Sequence, residues 1–283
     1  MRAIVSLLLS FLIIAFIIYT ILRPNIIKPI LRKFATSGDY DPLPIAKRFP
    51  DYTLYSALTD NKLRNRDLIV IFIGGAFIIQ SISSYYGVAN QLYSAMSKTH
   101  DVMVVQYPVR FSHTIQESMI SLNSTLAKEA IRYKSCHFVG FSAGALLASM
   151  IIRKEKDQQL AKTIQVPQIG LHISSMVSVC GLLYTIFNSD IVNRLFNYYI
   201  LNKTQSAKSY QAQNLNMPTL LISCKNDILY NQTLKFAQTE QCKVKMFNNK
   251  LSHMFVQMIN LKESKESVLE IISFIKNSTK TAK

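Results

Sequence analysis

The feature that most constrains the fold is a regular alternation, after about residue 52, of short apolar runs with longer amphipathic stretches. Residues 68–73 are mostly β-branched at successive positions, as expected of a strand that is buried on both faces of a parallel sheet. Similar runs occupy residues 102–107, 136–139, 169–179, 218–224 and 244–247. Helix-like stretches separate them. The alternation predicts an α/β fold, in which a mostly parallel central sheet carries helices on both faces.

An apolar segment precedes this domain. Residues 3–22 contain no charged side chain, and a run of about 20 apolar residues crosses the roughly 30 Å hydrocarbon layer of a bilayer as a helix. A cleaved signal peptide is the alternative, but its apolar core is usually about 7 to 15 residues long and ends at small residues. We therefore expect a retained transmembrane anchor over residues 1–23, which contacts membrane lipid. A proline-punctuated linker is expected over 24–51 and the α/β domain over 52–283.

The charge balance is strongly basic, with 32 Lys and Arg against 16 Asp and Glu and a net charge of +16. RNA-binding signatures, zinc-ligand spacing and basic helices with interleaved aromatic residues do not occur in the sequence, so we expect no nucleic-acid partner. The positive charge fits codon bias or a face on anionic lipid. We expect a single-pass membrane protein, with the endoplasmic reticulum as a candidate location. Both sides of the membrane stay open for the α/β domain. The four cysteines show no CxxC spacing and are expected as buried free thiols.

A nucleophile motif follows one of the predicted strands. Gly140, Phe141, Ser142, Ala143 and Gly144 form a G-x-S-x-G sequence between the run at 136–139 and an apolar helix-like stretch. In this strand–turn–helix setting the serine Oγ is exposed at the end of the sheet, at a helix N-terminus that stabilises negative charge. We therefore predict that Ser142 is a catalytic nucleophile, with Gly140 and Gly144 allowing the tight turn. A chance serine between two glycines is the alternative.

A serine nucleophile needs a base and an acid that orients the base, and in this architecture they follow the serine in the order acid, then histidine. His253 comes after the last predicted strand and is the expected base, whereas His172 falls inside a strand-like run and is expected in the core. Asp227 follows the run at 218–224 and is the expected acid. Asp190 is the other candidate for the acid, but it lies in a polar turn with no strand before it. The alternative to a catalytic role for Asp227 is a structural one, as the N-cap of a helix.

Donors for a developing oxyanion are expected after the first strand of the parallel region. Gly74, Gly75 and Ala76 follow that strand directly, and their small side chains let the backbone N–H groups turn inward. We predict that Gly75, Ala76 and the helix-opening Ala143 supply the oxyanion hole, with Gly74 as support. A plain strand-to-loop turn would use the same glycines, so the position relative to Ser142 carries this prediction.

These motifs together resemble the α/β-hydrolase fold, and within it the esterases of the hormone-sensitive-lipase and arylacetamide-deacetylase type; kynurenine formamidase is similar. Those families carry His-Gly-Gly-Gly or His-Gly-Gly-Ala after a strand, and residues 74–76 match all but the leading histidine, which is Ile73 here. Residues 107–110 hold an altered form of a Tyr-Arg segment, and residues 140–144 match the G-x-S-A-G elbow. The resemblance spans residues 52–276.

The resemblance implies hydrolysis of carboxylic esters or amides through an acyl-serine intermediate, without a cofactor or metal. It also implies that residues near 182–214 form a small cap over the active site. Five aromatic residues in this region favour a lipophilic ester substrate: Tyr184, Phe187, Phe196, Tyr198 and Tyr199. A helix pair packed on the sheet is the alternative to a cap.

The sequence thus predicts a membrane-anchored serine ester hydrolase with a Ser-Asp-His triad. Two other functions stay open at this point. The missing histidine at Ile73 keeps a catalytically silent binding protein in consideration, and the similarity to kynurenine formamidase keeps an amide or formamide hydrolase.

Overall fold

The computed structural model describes residues 38–57, 65–109, 113–186, 210–248 and 250–281. The predicted anchor at residues 1–23 and most of the predicted cap, residues 187–209, lie outside these ranges. Within them, no helix has both the length and the apolar composition needed to cross a bilayer.

Eight strands form a single sheet in the order β1-β2-β4-β3-β5-β6-β7-β8. From β4 to β8 every neighbouring pair is parallel, while β1 and β2 add an antiparallel edge beside β4. The strands are β1 Ala46–Arg48, β2 Tyr52–Tyr55, β3 Asp67–Phe72, β4 His100–Val105, β5 Ser135–Phe141, β6 Ile173–Val179, β7 Thr219–Cys224 and β8 Lys243–Phe247. The predicted mostly parallel sheet is confirmed.

Six α-helices lie in the described ranges. They are α1 Ser83–Met96, α2 Ile115–Glu129, α3 Ala143–Lys156, α4 Gln158–Ile164, α5 Tyr230–Thr239 and α6 Lys262–Thr281. Local sequence explains where two of these helices begin. Thr114 and Glu117 form a capping box at the N-terminus of α2, and at the N-terminus of α4 the Asp157 side chain accepts a hydrogen bond from the N–H of Leu160. A separate 3₁₀ turn, Ala130–Arg132, follows α2.

The sheet begins earlier than the pattern indicates. Strand β1 lies within residues 24–51, where a linker with little regular structure was expected, because a short and mostly exposed edge strand lacks an apolar signature. The preceding residues are held against helix α1, since the N–H of Tyr40 donates to the Ser83 carbonyl at 3.2 Å and the N–H of Leu43 donates to Asn90 Oδ1 at 3.1 Å.

Strand β6 begins later than expected. The backbone N–H groups of Ile169, Gly170 and Leu171 all donate to the Glu155 carboxylate, so this stretch forms a loop around the carboxylate before the strand starts. His172 lies at the end of that loop and is exposed, so the expectation of a core histidine was wrong.

The core strands β3, β4, β5 and β7 are buried along their whole length. Their carboxyl ends meet at one edge of the sheet, where parallel α/β folds bind their ligands. The residues that follow β3, β5, β6 and β7 therefore define the region of the functional site.

Candidate active site

Ser142 lies in a strained turn between β5 and α3. Its backbone has φ 49° and ψ −122°, a conformation that costs a non-glycine residue energy and that functional sites often retain. Two neighbours fix the turn: the N–H of Ser142 donates to the Val179 carbonyl at 3.0 Å, and the Ser142 carbonyl accepts from the N–H of Leu182 at 2.9 Å. The turn has the geometry of a nucleophile elbow.

The flanking glycines are required by backbone proximity. A Cβ atom on Gly140 would lie 2.4 Å from Cα of Ala145, and one on Gly144 would lie 2.3 Å from the carbonyl oxygen of Phe72. Both contacts are with backbone, which cannot rotate away. The G-x-S-x-G spacing therefore follows from close packing of helix α3 on strands β3 and β5.

The structure brings Ser142, His253 and Asp227 into one hydrogen-bonded chain. His253 Nε2 lies 2.8 Å from Ser142 Oγ, and His253 Nδ1 lies 2.7 Å from Asp227 Oδ2. The Asp227 side chain is fully buried, whereas that of His253 is about one-fifth exposed at 21%. A serine, an imidazole and a buried carboxylate in this order can activate the hydroxyl for attack on a carbonyl group.

Asp227 is held as a carboxylate by its surroundings. Burial by itself raises the pKa of Asp227, but hydrogen bonding and charge from His253, with hydrogen bonds from Cys180 and the N–H of Leu229, outweigh it and lower the pKa. The Leu229 N–H donates to Asp227 Oδ1 at 2.5 Å. The other carboxylate oxygen is thus left to orient the imidazole.

Sequence reasoning missed a thiol beside this carboxylate. A hydrogen bond to Cys224, burial and the negative charge of Asp227 raise the pKa of Cys180, so its S–H stays protonated as a donor. Cys180 directly follows β6, and this position at a strand end was the one sequence feature that could have pointed to it. The described cysteines are all free, and three are buried as expected, while Cys242 is partly exposed.

The loop after β3 folds into a sharp turn. Gly75 has φ 130°, and a Cβ there would lie 1.7 Å from the Ile79 carbonyl oxygen. Ala76 and Phe77 also have positive φ values of 53° and 59°. The Gly75 carbonyl accepts from the N–H groups of Ile78 and Ile79, both at 2.9 Å, which closes the turn.

Two buried tyrosines hold this loop in place. Tyr85 Oη accepts from the N–H of Gly74 at 2.8 Å, and Tyr107 Oη donates to the Ile73 carbonyl at 2.9 Å. Burial raises the pKa of Tyr85 to about 12, so its hydroxyl stays neutral. The sequence offered no spacing signal for Tyr85, because helix α1 brings it to the loop from another layer.

The predicted oxyanion donors are placed as follows. Gly74 N–H is taken by Tyr85, whereas the backbone N–H groups of Gly75, Ala76 and Ala143 have no hydrogen-bond partner within the described residues. Ile73, at the position of the expected histidine, is a fully buried core residue. The two tyrosine hydrogen bonds therefore hold the loop without a histidine.

The described parts of the predicted cap are its two ends. Tyr184 pairs with Gln211 in an antiparallel bridge, and the N–H of Ala212 donates to the Leu183 carbonyl at 2.7 Å. The side-chain oxygen of Gln232 accepts from the N–H groups of Leu183 and Tyr184. The insertion thus leaves and re-enters the domain at one point. Phe187, Asp190, Phe196, Tyr198 and Tyr199 lie outside the described residues.

A protein-family comparison decides the class of this site. The family model described as "Serine hydrolase (FSH1)" matches residues 75–256. The chain belongs to the FSH1 serine hydrolase family. The matched range includes Ser142, Asp227 and His253, and the prediction of a serine hydrolase is confirmed.

Solved structures of three esterases share the fold of this serine hydrolase. Esterase B from Lactobacillus rhamnosis, in a complex with a tributyrin phosphonate inhibitor, has a TM-score of 0.70 and 16% identity over 92% of this chain and 94% of its own. A hyperthermophilic esterase from Pyrobaculum calidifontis has a TM-score of 0.65 and 18% identity over 89% and 90%. A fungal esterase from Rhizomucor miehei has a TM-score of 0.64 and 12% identity over 89% and 89%. At these identities the likeness establishes the α/β-hydrolase fold.

No curated protein sequence matches the chain significantly. The family shown is FSH1, and the finer resemblance to hormone-sensitive-lipase-type esterases continues to rest on residues 74–76 and 140–144.

Proposed function

We propose that this serine hydrolase cleaves carboxylic esters through an acyl-serine intermediate, with Ser142 as nucleophile, His253 as general base and acid, and Asp227 as the orienting carboxylate. The observation that carries the proposal is the continuous hydrogen-bonded chain, with 2.8 Å from Ser142 Oγ to His253 Nε2 and 2.7 Å from His253 Nδ1 to Asp227 Oδ2.

In the first half-reaction His253 Nε2 takes the proton of Ser142 while Oγ bonds to the ester carbonyl carbon. The carbonyl oxygen becomes an oxyanion. Its collapse breaks the bond to the leaving alkoxide, which receives the proton from His253 and departs as an alcohol. Water then repeats the sequence on the acyl-serine and releases the acid. Asp227 stabilises the imidazolium that forms in each half.

The oxyanion is proposed to bind the N–H groups of Gly75, Ala76 and Ala143. These donors are unused by other described groups, and the strained loop presents them without reorganisation during the reaction. Removing one such donor from a serine hydrolase typically costs about 10²- to 10³-fold in kcat. The positive φ values of Ala76 and Phe77 support a preorganised loop.

We propose lipophilic esters as the substrate class. The aromatic residues of the insertion at 182–214, the resemblance to hormone-sensitive-lipase-type esterases and the apolar N-terminal segment support this proposal. Lactobacillus esterase B, which shares the fold, has been solved as a complex with a tributyrin phosphonate inhibitor, and tributyrin is a glycerol ester.

A panel of p-nitrophenyl esters from acetate to palmitate, run with N-formyl and simple amide substrates, tests this proposal. We expect ester turnover that Ser142→Ala abolishes, with a higher kcat/KM for longer acyl chains. Faster turnover of the formamide would favour a formamide hydrolase of the kynurenine-formamidase type. Turnover that survives in Ser142→Ala would contradict the proposed mechanism. A silent binding protein is disfavoured by the intact Ser142–His253 hydrogen bond.

We also propose that residues 1–23 anchor the enzyme in a membrane, with the endoplasmic reticulum as candidate location. The uncharged run at residues 3–22 supports this. Extraction of membranes from cells that express the full chain with alkaline carbonate tests it: retention in the pellet is expected, and release into the supernatant would contradict an anchor.

A further inference from the structure

A second cluster of titratable side chains lies at the opposite end of the sheet from Ser142. Asp67, His100 and His137 come from the beginnings of three adjacent parallel strands, β3, β4 and β5. One ligand atom of each lies within 4.8 Å of the others. His137 lies on β5, five residues before Ser142, and five residues of extended chain span roughly 16 Å. The cluster is therefore separate from the triad.

Each member is oriented by a hydroxyl group that engages its far atom. His100 Nδ1 lies 2.8 Å from Thr99 Oγ1, and His137 Nδ1 lies 2.8 Å from Ser175 Oγ. The hydroxyl of Ser135 donates to Asp67 Oδ1 at 2.7 Å. The atoms not engaged by these three hydroxyl groups are Nε2 of both histidines and Oδ2 of the aspartate. Metal-binding histidines are characteristically held in this way, with one ring nitrogen fixed by an outer hydrogen bond.

One of the remaining atoms is unpaired. His100 is 3% exposed, and its Nε2 has no hydrogen-bond partner in the described chain. It lies 3.8 Å from Asp67 Oδ2, which is beyond hydrogen-bond reach. His137 Nε2 is hydrogen-bonded to Thr279 Oγ1 of helix α6 at 3.3 Å, a bond that a metal ion would replace. An unpaired buried imidazole nitrogen facing a carboxylate is costly and calls for a ligand.

The surrounding charges leave the Asp67 carboxylate available. Arg66, the nearest arginine in sequence, is taken by Asp101, with 2.7 Å between Arg66 Nη2 and Asp101 Oδ1. Lys276 on α6 is exposed.

We propose that Asp67, His100 and His137 bind a divalent transition-metal ion, with Zn²⁺ as the first candidate. Two imidazole nitrogens and one carboxylate oxygen are a zinc ligand set, in which the fourth position is a water or another oxygen. Zinc–ligand distances of about 2.0–2.2 Å place neighbouring ligand atoms about 3.3 Å apart. Because the present ligand atoms lie within 4.8 Å of one another, each needs to move by less than about 1 Å.

Such an ion would link strands β3, β4 and β5 at the end of the sheet opposite the catalytic triad. Its role is structural: metal binding to the folded chain raises the free energy of unfolding by mass action. The inference is independent of the proposed ester hydrolysis, since none of its residues contacts the triad.

The test uses the full chain purified without a polyhistidine tag, stripped with a chelator and titrated with Zn²⁺ by calorimetry. One equivalent is expected to bind, and zinc at about 100 times the dissociation constant is expected to raise Tm by roughly 5–10 °C. Asp67→Asn keeps the size of the side chain and an oxygen for Ser135, and is expected to weaken binding at least tenfold. His100→Gln is a second variant that removes the unpaired nitrogen. His172→Gln, an exposed histidine outside the cluster, is the matched control.

Loss of binding in Asp67→Asn and His100→Gln, with wild-type binding in His172→Gln, would support the site. No zinc binding to the wild-type chain would overturn it, as would equal binding by all four proteins. Circular dichroism establishes whether each variant is folded. If either cluster variant is unfolded, visible absorption of Co²⁺ bound to the wild-type chain decides: a tetrahedral spectrum supports the site, and its absence overturns it.

Discussion

The substitution Tyr85→Phe tests how the oxyanion loop is held. Tyr85 is 2% exposed, and its hydroxyl accepts from the N–H of Gly74 at 2.8 Å. It also hydrogen-bonds Gln257. The phenylalanine keeps the ring and its edge-on contact with Phe141, at 5.1 Å between centroids. The change therefore removes the hydroxyl, with its hydrogen bonds to Gly74 and Gln257, and little else.

The expected magnitude follows from what is left unpaired. A buried backbone N–H without a partner costs about 1–3 kcal/mol. Part of that cost lowers the free energy of unfolding, and part is relieved by movement of the loop that carries Gly75 and Ala76. We expect kcat to fall about tenfold, which corresponds to about 1.4 kcal/mol of lost transition-state stabilisation. KM should change less, because the donors act on the oxyanion rather than on the bound ester.

The assay measures kcat and KM on p-nitrophenyl butyrate together with urea unfolding. Tyr86→Phe is the matched control: it is the neighbouring buried residue of α1, and its hydroxyl lies 2.9 Å from Thr53 Oγ1, away from the loop. We expect Tyr86→Phe to lose stability and keep its kcat. If Tyr85→Phe also keeps wild-type kcat, the hydroxyl does not position the loop and the reasoning is refuted.

Three further predictions concern the triad and the elbow. Asp227→Asn should lower kcat on the same ester about 10⁴-fold, as expected when the imidazole loses its orienting carboxylate; a loss below tenfold would contradict that role. Because the pKa of Asp227 is lowered in the folded state, its ionised form stabilises the fold above about pH 4, and this contribution is lost as the pH falls through the lowered pKa. The stability difference between wild type and Asp227→Asn in urea unfolding should therefore shrink under acid conditions, and a constant difference would refute the linkage. Gly144→Ala should lower Tm far more than Gly87→Ala, since its Cβ meets the Phe72 carbonyl at 2.3 Å whereas Gly87 meets the movable Ile259 side chain at 2.8 Å; equal Tm values would contradict the packing argument.

The central parallel strands could be predicted because they are buried on both faces and are therefore mostly apolar. Strand β3, Asp67–Phe72, differs from the predicted run by one residue at each end. The edge strands β1 and β2 could not be predicted, because they are short and one is mostly exposed. The late start of β6 depends on Glu155, a residue of helix α3 that no local pattern connects to the loop at 169–171.

The triad could be proposed because three residue types occur in the expected order after strand ends. The residues that support it could not be. Tyr85 reaches the loop from helix α1, in another layer, and Tyr107 reaches it from the end of β4, the strand beside β3. Cys180 approaches Asp227 because β6 and β7 are neighbours in the sheet. The cluster of Asp67, His100 and His137 is likewise a product of strand order, since β3 lies between β4 and β5.

The central claim is that Ser142 is an activated nucleophile, and covalent labelling with a fluorophosphonate tests it most directly. We predict one adduct per full-length chain, located on Ser142 by peptide mass spectrometry and absent in Ser142→Ala. His253→Ala should label at least about 100-fold more slowly, because the general base is lost. No adduct on the wild-type chain, or equal labelling of Ser142→Ala, would contradict the account.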